Sequence, residues 1–123
     1  MKAMCNLEKP PHFMPVVGNM PHGMLVTVPL WADGKKNKND IWQLLYNNYN
    51  SSNFIKVMDS AESETDNGFL DPTTCNGTNK MELFVFGNDV QILLAARHDN
   101  LGKGASGAAV QCMNIACGLD ETL

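Results

Sequence analysis

One hundred and twenty-three residues make one ordinary domain with a single core, and 44% hydrophobic against 18% charged residues describes a soluble globular chain, not a disordered one. A net charge of −4, with Lys35-Lys36-Asn37-Lys38 as the densest basic run, excludes a binder that tracks a phosphate backbone. No apolar run reaches membrane-spanning length and Met1 to Pro11 lacks the apolar core of a signal peptide, so the expected location is cytoplasmic, with neither membrane nor nucleic acid as partner.

In chain order, Met1 to Pro11 reads as irregular, closed by Pro10-Pro11. Phe13 to Val17 reads as a short strand, Gly18 to Gly23 as a turn, and Met24 to Trp31 as a second strand. Pro29 lacks a ladder donor, which places it near a strand end or on an edge. Gly34 to Asn39 is a loop, and Asp40 or Asn39 can cap a helix running to about Tyr49. Its apolar face is Ile41, Leu44, Leu45 and Tyr49. Phe54 to Met58 returns as a strand. Asp59 to Asn79 is an acidic, turn-rich connection, with Phe69-Leu70 pinning it. Met81 to Phe86 and Val90 to Arg97 form a hairpin around Gly87-Asn88-Asp89. Both strands are apolar on both faces, so the hairpin belongs at the centre of the sheet. A last helix runs from about Gly104 to Ala116 and stops at Gly118. This order predicts an α+β fold: one mostly antiparallel sheet with helices packed on it.

The richest stretch is the corner from Arg97 to Gln111, where an apolar strand gives way to glycines and then a helix. A helix start there would present unpaired N–H groups and a positive dipole end to an anion. Gly102 to Gly107 also fits G-x-G-x-x-G. A dinucleotide unit, however, needs a second strand with an acidic residue at its end, and only sixteen residues follow Gly107. A P-loop is excluded, because no Gly-Lys-Ser/Thr occurs. On pattern alone, Ala105, Ala108, Ala109, Cys112, Met113 and Ala116 read as a stripe of small, soft residues that lets the helix lie close against a sheet or a partner. The four cysteines, Cys5, Cys75, Cys112 and Cys117, show no C-x-x-C pair and no metal-ligand spacing with the histidines, so they read as free, buried thiols and no metal is expected. Asn50-Ser51-Ser52 and Asn76-Gly77-Thr78 match the glycosylation pattern, which carries no weight without a secretion signal.

Asp99-Asn100-Leu101-Gly102-Lys103-Gly104-Ala105-Ser106-Gly107-Ala108-Ala109-Val110-Gln111 resembles the last helix of the N-acetyl-gamma-glutamyl-phosphate reductase family, part of the semialdehyde dehydrogenase superfamily. Four further segments resemble its short bacterial form, in the same order: Phe13 to Asn19, Gly23 to Leu30, Asn76 to Asn79 and Glu82 to Asn88. The resemblance covers nearly the whole chain. It implies the second domain of the glyceraldehyde-phosphate-dehydrogenase-like architecture. Residues 1–123 would be one C-terminal substrate and dimerisation domain, without the N-terminal Rossmann domain that binds NADP.

By resemblance, the family reduces an acyl phosphate to an aldehyde with NADPH, using a cysteine thiolate and a proton-moving histidine. The family cysteine lies in Gly-Cys-Tyr/Phe-x-Thr and the histidine in Arg-His-x-Pro-Glu. Neither segment occurs here. No catalytic residue is therefore assigned, and the chain alone is expected to be inactive. The resemblance carries a cofactor role to the corner: Gly102 and Gly104 for close backbone approach, Lys103 for charge, and Gln111 for a hydrogen bond to a carboxamide. The family pattern continues Val-Gln-Asn where this chain has Cys112.

His22 is the candidate substrate contact, at a position where the family more often has Gln or Arg; a surface turn residue is the competing reading. His12 and His98 rank below it. The expected partners are a small-molecule substrate and either a second copy or a separate N-terminal half. Two competing readings stand beside the reductase: a non-catalytic, self-associating remnant, and a domain of another semialdehyde dehydrogenase such as the aspartate enzyme.

Overall fold

The computed structural model describes residues 5–32, 34, 36–59 and 65–123. Its elements are β1 (Met24–Trp31), α1 (Lys38–Tyr49), β2 (Ile55–Val57), β3 (Met81–Gly87), β4 (Gln91–His98), a π-helical turn (Gly102–Ser106) and α2 (Gly107–Ala116). The sheet order is β1-β4-β3-β2. β1 and β3 run antiparallel to β4, and β2 runs parallel to β3. The fold is α+β as expected, with a mixed sheet. The parallel pair is possible because the chain from Met58 to Lys80 is long enough to cross back before β3 begins.

The β3–β4 hairpin is central and turns where Gly87 adopts φ +105°. A side chain on Gly87 would overlap the Gln91 carbonyl, so the turn requires glycine. Asn88 closes it, its Oδ1 accepting from the Val90 and Gln91 amides at 2.9 Å each. The register sets Phe84 opposite Ala95, large against small. Phe84 is wholly buried; with Met58 and Ala95 it forms the core, against which Leu70 and Phe86 pack. Leu70 thus pins the long connection, whereas its neighbour Phe69 is exposed.

Two register positions away, the buried Arg97 pairs with Glu82 through Nε at 2.8 Å and a terminal nitrogen at 2.6 Å. It also donates to the Asp71 carbonyl at 3.1 Å. Cys75 lies buried beside this pair, and burial together with the Glu82 charge pushes its thiol pKa up to about 11. All four cysteines are free, but only Cys75 is buried; Cys5, Cys112 and Cys117 are exposed.

α1 begins one turn earlier than its Asp40 suggested. Asn37 is the N-cap, its Oδ1 accepting from Asp40 N–H at 3.0 Å, while Asp40 accepts from Asn37 N–H at 2.9 Å. Asp40 is the return half of a capping box, not the cap. The inward side is Ile41, Trp42 and Leu45, with Leu44 and Tyr49 exposed. Trp42 anchors it by donating from its indole to the Met58 carbonyl at 2.8 Å.

Phe13 to Val17 is not a strand. Nothing among the described residues pairs with it, and its apolar side chains stand in the open. β1 is an edge strand, which accommodates Pro29 as expected. Its alternate residues Met24, Val26, Val28 and Leu30 are all substantially exposed. No helix among the described residues is long and apolar enough to cross a membrane.

Candidate functional site

At the end of β4 the chain buries three polar residues in a row, Arg97, His98 and Asp99. Asp99 organises the corner. Its Oδ2 accepts from the Gly77 amide at 2.8 Å, and its Oδ1 accepts from the Leu101 amide at 2.9 Å and faces His22 Nδ1 at 3.0 Å. Burial raises the carboxyl pKa; the Gly77 and Leu101 amides, the His22 ring and the Gly102 amide more than reverse this, holding it well below the usual carboxylate range. The side chain is therefore an anion at neutral pH.

Beyond Asp99 the backbone winds with i→i+5 bonds: Gly104 N–H to Asp99 O at 2.9 Å, Ser106 N–H to Leu101 O at 2.9 Å, and Gly107 N–H to Gly102 O. The wide turn lets Gly102 press on the Thr78 carbonyl and Gly107 on Asn79, where a Cβ would overlap either neighbour. The expectation of a free helix N-terminus needs correction on this point. The amides of Leu101, Gly104, Ser106 and Gly107 are used within the chain, and the anion at this helix start is the protein's own Asp99.

α2 ends as the sequence indicates. Gly118 takes φ +71° and donates to the Ile115 carbonyl at 3.1 Å, while Leu119 N–H reaches the Asn114 carbonyl at 2.8 Å. The small-residue stripe does not pack within the chain, however: Ala105, Ala109, Cys112, Met113 and Ala116 are exposed. The inward side is Gly107, Ala108, Gln111 and Asn114, and Asn114 donates to the Leu123 carbonyl at 2.8 Å.

Lys103 and Gln111 come together as one unit. Lys103 Nζ donates to Gln111 Oε1 at 2.5 Å and lies 5.3 Å from the centre of the Phe54 ring. Gln111 Nε2 donates to Glu121 at 2.7 Å, and the other Glu121 oxygen accepts from Asn53 at 2.8 Å. A cavity of about 300 Å³ opens beside Gln111, Gly107 and Phe54, next to Asn79. The buried Asn79 Oδ1 has no hydrogen-bond partner among the described residues.

His22 is not part of that cavity's lining. It joins the corner from the other side, through Asp99. Its backbone is held too: the His22 carbonyl accepts from Asn76 Nδ2 at 2.9 Å, and Gly23 N–H donates to Asn100 Oδ1 at 2.7 Å. His98 is buried with Nδ1 unpartnered, and burial lowers its pKa against the opposing pull of Asp99. His12 lies far from the corner, at an apolar hollow by Trp31 and Phe86. No group of three or more His, Cys, Asp or Glu among the described residues is placed to hold a metal.

Sequence reasoning missed Asp99 and Glu121, the two carboxylates that tie the candidate residues down. Asp99-Asn100 ahead of the glycines carried a readable signal, since such residues cap helix starts. Glu121, in the tail, carried none.

Residues 1–100 match the family model described as semialdehyde dehydrogenase, dimerisation domain. The chain is 47% identical over 124 residues to N-acetyl-gamma-glutamyl-phosphate reductase 2 of a Nostoc species, a match covering 95% of this chain and 38% of the relative. It is 46% identical to the N-acetyl-gamma-glutamyl-phosphate reductase of Trichormus variabilis, with the same coverage. For the enzyme of that name from Mesorhizobium japonicum the identity is 37%, over 97% of this chain and 41% of the relative. The chain thus spans about two fifths of the length of these relatives. With five matching segments, an α+β sheet bearing two helices, and a family model that takes in most of its residues, the chain belongs to the semialdehyde dehydrogenase family, as its dimerisation domain.

Proposed function

We propose that this chain is the C-terminal substrate and dimerisation domain of an NADP-dependent reductase of the cytoplasm. That enzyme converts N-acetyl-gamma-glutamyl phosphate to N-acetylglutamate semialdehyde in arginine biosynthesis, and this domain is inactive alone. The observation that carries the reading is the orientation of α2. Its polar residues Gln111 and Asn114 face its own chain, while Val110, Met113 and Ile115 are 47, 56 and 57% exposed. A helix built this way finds its apolar contacts on another surface. The nucleotide-binding part of the enzyme is the surface proposed, within the length by which the relatives exceed this chain. The exposed side chains of β1 are proposed to meet a second copy.

Toward the cofactor, the exposed Gly104 would allow close approach, Lys103 would face its negative charge, and Gln111 would bond its carboxamide; Gly102, whose open side is taken by the Thr78 carbonyl, would hold the turn instead. The corner suits such a group, because a cavity adjoins Gln111 and the Asn79 acceptor beside it is unpartnered. When bound, NADPH supplies the hydride. Gln111 is held by Lys103 and Glu121 and keeps one N–H and one lone pair with which to meet the carboxamide. His22 is the proposed substrate contact. The nucleophile is assigned to the remainder of the enzyme, since none of the four cysteines lies in a Gly-Cys-x-x-Thr segment.

The test is phosphate-dependent oxidation of N-acetylglutamate semialdehyde by NADP. It is run on this chain alone and on a mixture with the remaining portion of the Nostoc relative. Activity in the mixture only is the expected result. No activity in either favours a self-associating remnant without catalytic function, and turnover of aspartate semialdehyde instead would identify the aspartate branch of the family.

A further inference from the structure

We propose that Asp99 is a positioning residue for His22: the buried carboxylate holds the ring in its Nδ1–H form and leaves Nε2 as an open acceptor for an N–H or O–H donor of the substrate. The substrate half of this inference rests on the reductase reading; the positioning half does not.

The ring is constrained far more than a surface turn requires. Asp99 is 2% exposed and receives the Gly77 and Leu101 amides as well as His22, so its oxygens cannot swing to follow the ring. His22 is held at its carbonyl by Asn76, and the next amide is held by Asn100. Gly23 adopts φ +114°, and a Cβ there would lie 2.6 Å from the Pro72 carbonyl oxygen, so the backbone beside His22 tolerates only glycine. Backbone and Nδ1 are thus both fixed across 77 residues of sequence, yet the side chain stays 29% exposed. Nε2 has no partner among the described residues. A carboxylate on one imidazole nitrogen sets which nitrogen carries the proton, and so what the other can do. Here Nδ1 donates to Asp99 and Nε2 presents a lone pair. An acylamino substrate, such as the one named for the relatives, carries an amide N–H able to donate to it.

The experiment reads the tautomer directly, in long-range proton–nitrogen spectra of the imidazoles of the ¹⁵N-labelled chain at mildly alkaline pH. The expected result is the Nδ1–H form for His22, shifting toward the Nε2–H form in Asp99→Ala, which leaves Nδ1 without its acceptor. An Nε2–H form in the unaltered chain overturns the inference, as does an unchanged ring in a folded Asp99→Ala. Should that variant fail to fold, the unaltered chain still decides.

In the active mixture, Asp99→Ala and His22→Ala should each raise KM for the acyl substrate about tenfold, the loss of one hydrogen bond, with kcat and KM for NADP within about threefold. Unmoved substrate KM in an active mixture overturns the substrate contact and leaves the reductase reading standing. An inactive mixture with the expected tautomers overturns the reductase reading and the contact that rests on it, while supporting the positioning of His22 by Asp99.

Discussion

The two helices solve the same problem in opposite ways. α1 carries its own stabilising groups: a capping box from Asn37 and Asp40, and an indole that packs inward while bonding the Met58 carbonyl. α2 has no side-chain cap and starts in a π-helical turn. Glycines hold it, because Gly102 and Gly107 let backbone and Asn79 come where no side chain would fit. Its apolar residues then point away from the chain. α1 is anchored within the domain, whereas α2 leaves Val110, Met113 and Ile115 exposed, the face proposed to meet the rest of the enzyme.

The sharpest way to break the comparison is at the anchors. Trp42→Ala should cost about 3 kcal/mol in urea unfolding, from lost packing and an unpaired Met58 carbonyl. Gly102→Ala should cost about 2 kcal/mol by driving a methyl into the Thr78 carbonyl. If Gly102→Ala is neutral, the close approach does not hold α2 in place.

Acid should act on the corner at the head of α2 before it acts on α1. Burial keeps the folded pKa of His98 below its ordinary 6.5, so the unfolded chain binds that proton first and stability begins to fall as the pH drops below 6.5. The contribution of Asp99 is complete above the ordinary 3.8 and is lost as the pH falls from there toward its lowered folded value. Thermal midpoints at neutral pH, between these two values and below 3.8 should therefore decline stepwise. A flat midpoint across that range would remove the corner as the acid-sensitive element.

A smaller change comes from the cap. Asn37→Ala should cost about 1 kcal/mol, read by thermal unfolding, since it leaves the Asp40 amide without its side-chain acceptor. The smallest effect on stability is predicted for the outer face of α2. Met113→Ser and Ile115→Ser should change the stability of the chain alone by less than about 0.5 kcal/mol, yet lower activity in the mixture with the remaining portion of the relative. A large loss of stability in the isolated chain would mean that this face is already buried.

What was legible in the sequence follows the same division. The β3–β4 hairpin, β1 and α1 were readable because each is specified by a local period and local punctuation: Gly87-Asn88, Pro29 and the polar run before Ile41. The cap was displaced because Lys36 to Asp40 offers several polar residues and only geometry selects Asn37. Phe13 to Val17 looked like a strand because its apolar residues want cover, but a strand also needs a neighbour, and none is present among the described residues. The parallel β2–β3 pairing depends on how Met58 to Lys80 travels, which periodicity does not record. At the corner, residue types singled out the stretch, whereas the pairing of His22 with Asp99 and of Gln111 with Glu121 arises only when separate segments meet. The small-residue stripe was recognised as a contact surface against a sheet or a partner, and its exposure rules out the sheet of this chain for all but Ala108.

Amide hydrogen exchange across α1 and α2 tests the central claim most directly, with the chain alone and mixed with the remaining portion of the Nostoc relative. The account predicts that α1 is equally protected in both samples, and that α2 exchanges readily alone and becomes protected in the mixture. Protection of α2 already complete in the isolated chain, or unchanged on mixing, would contradict it.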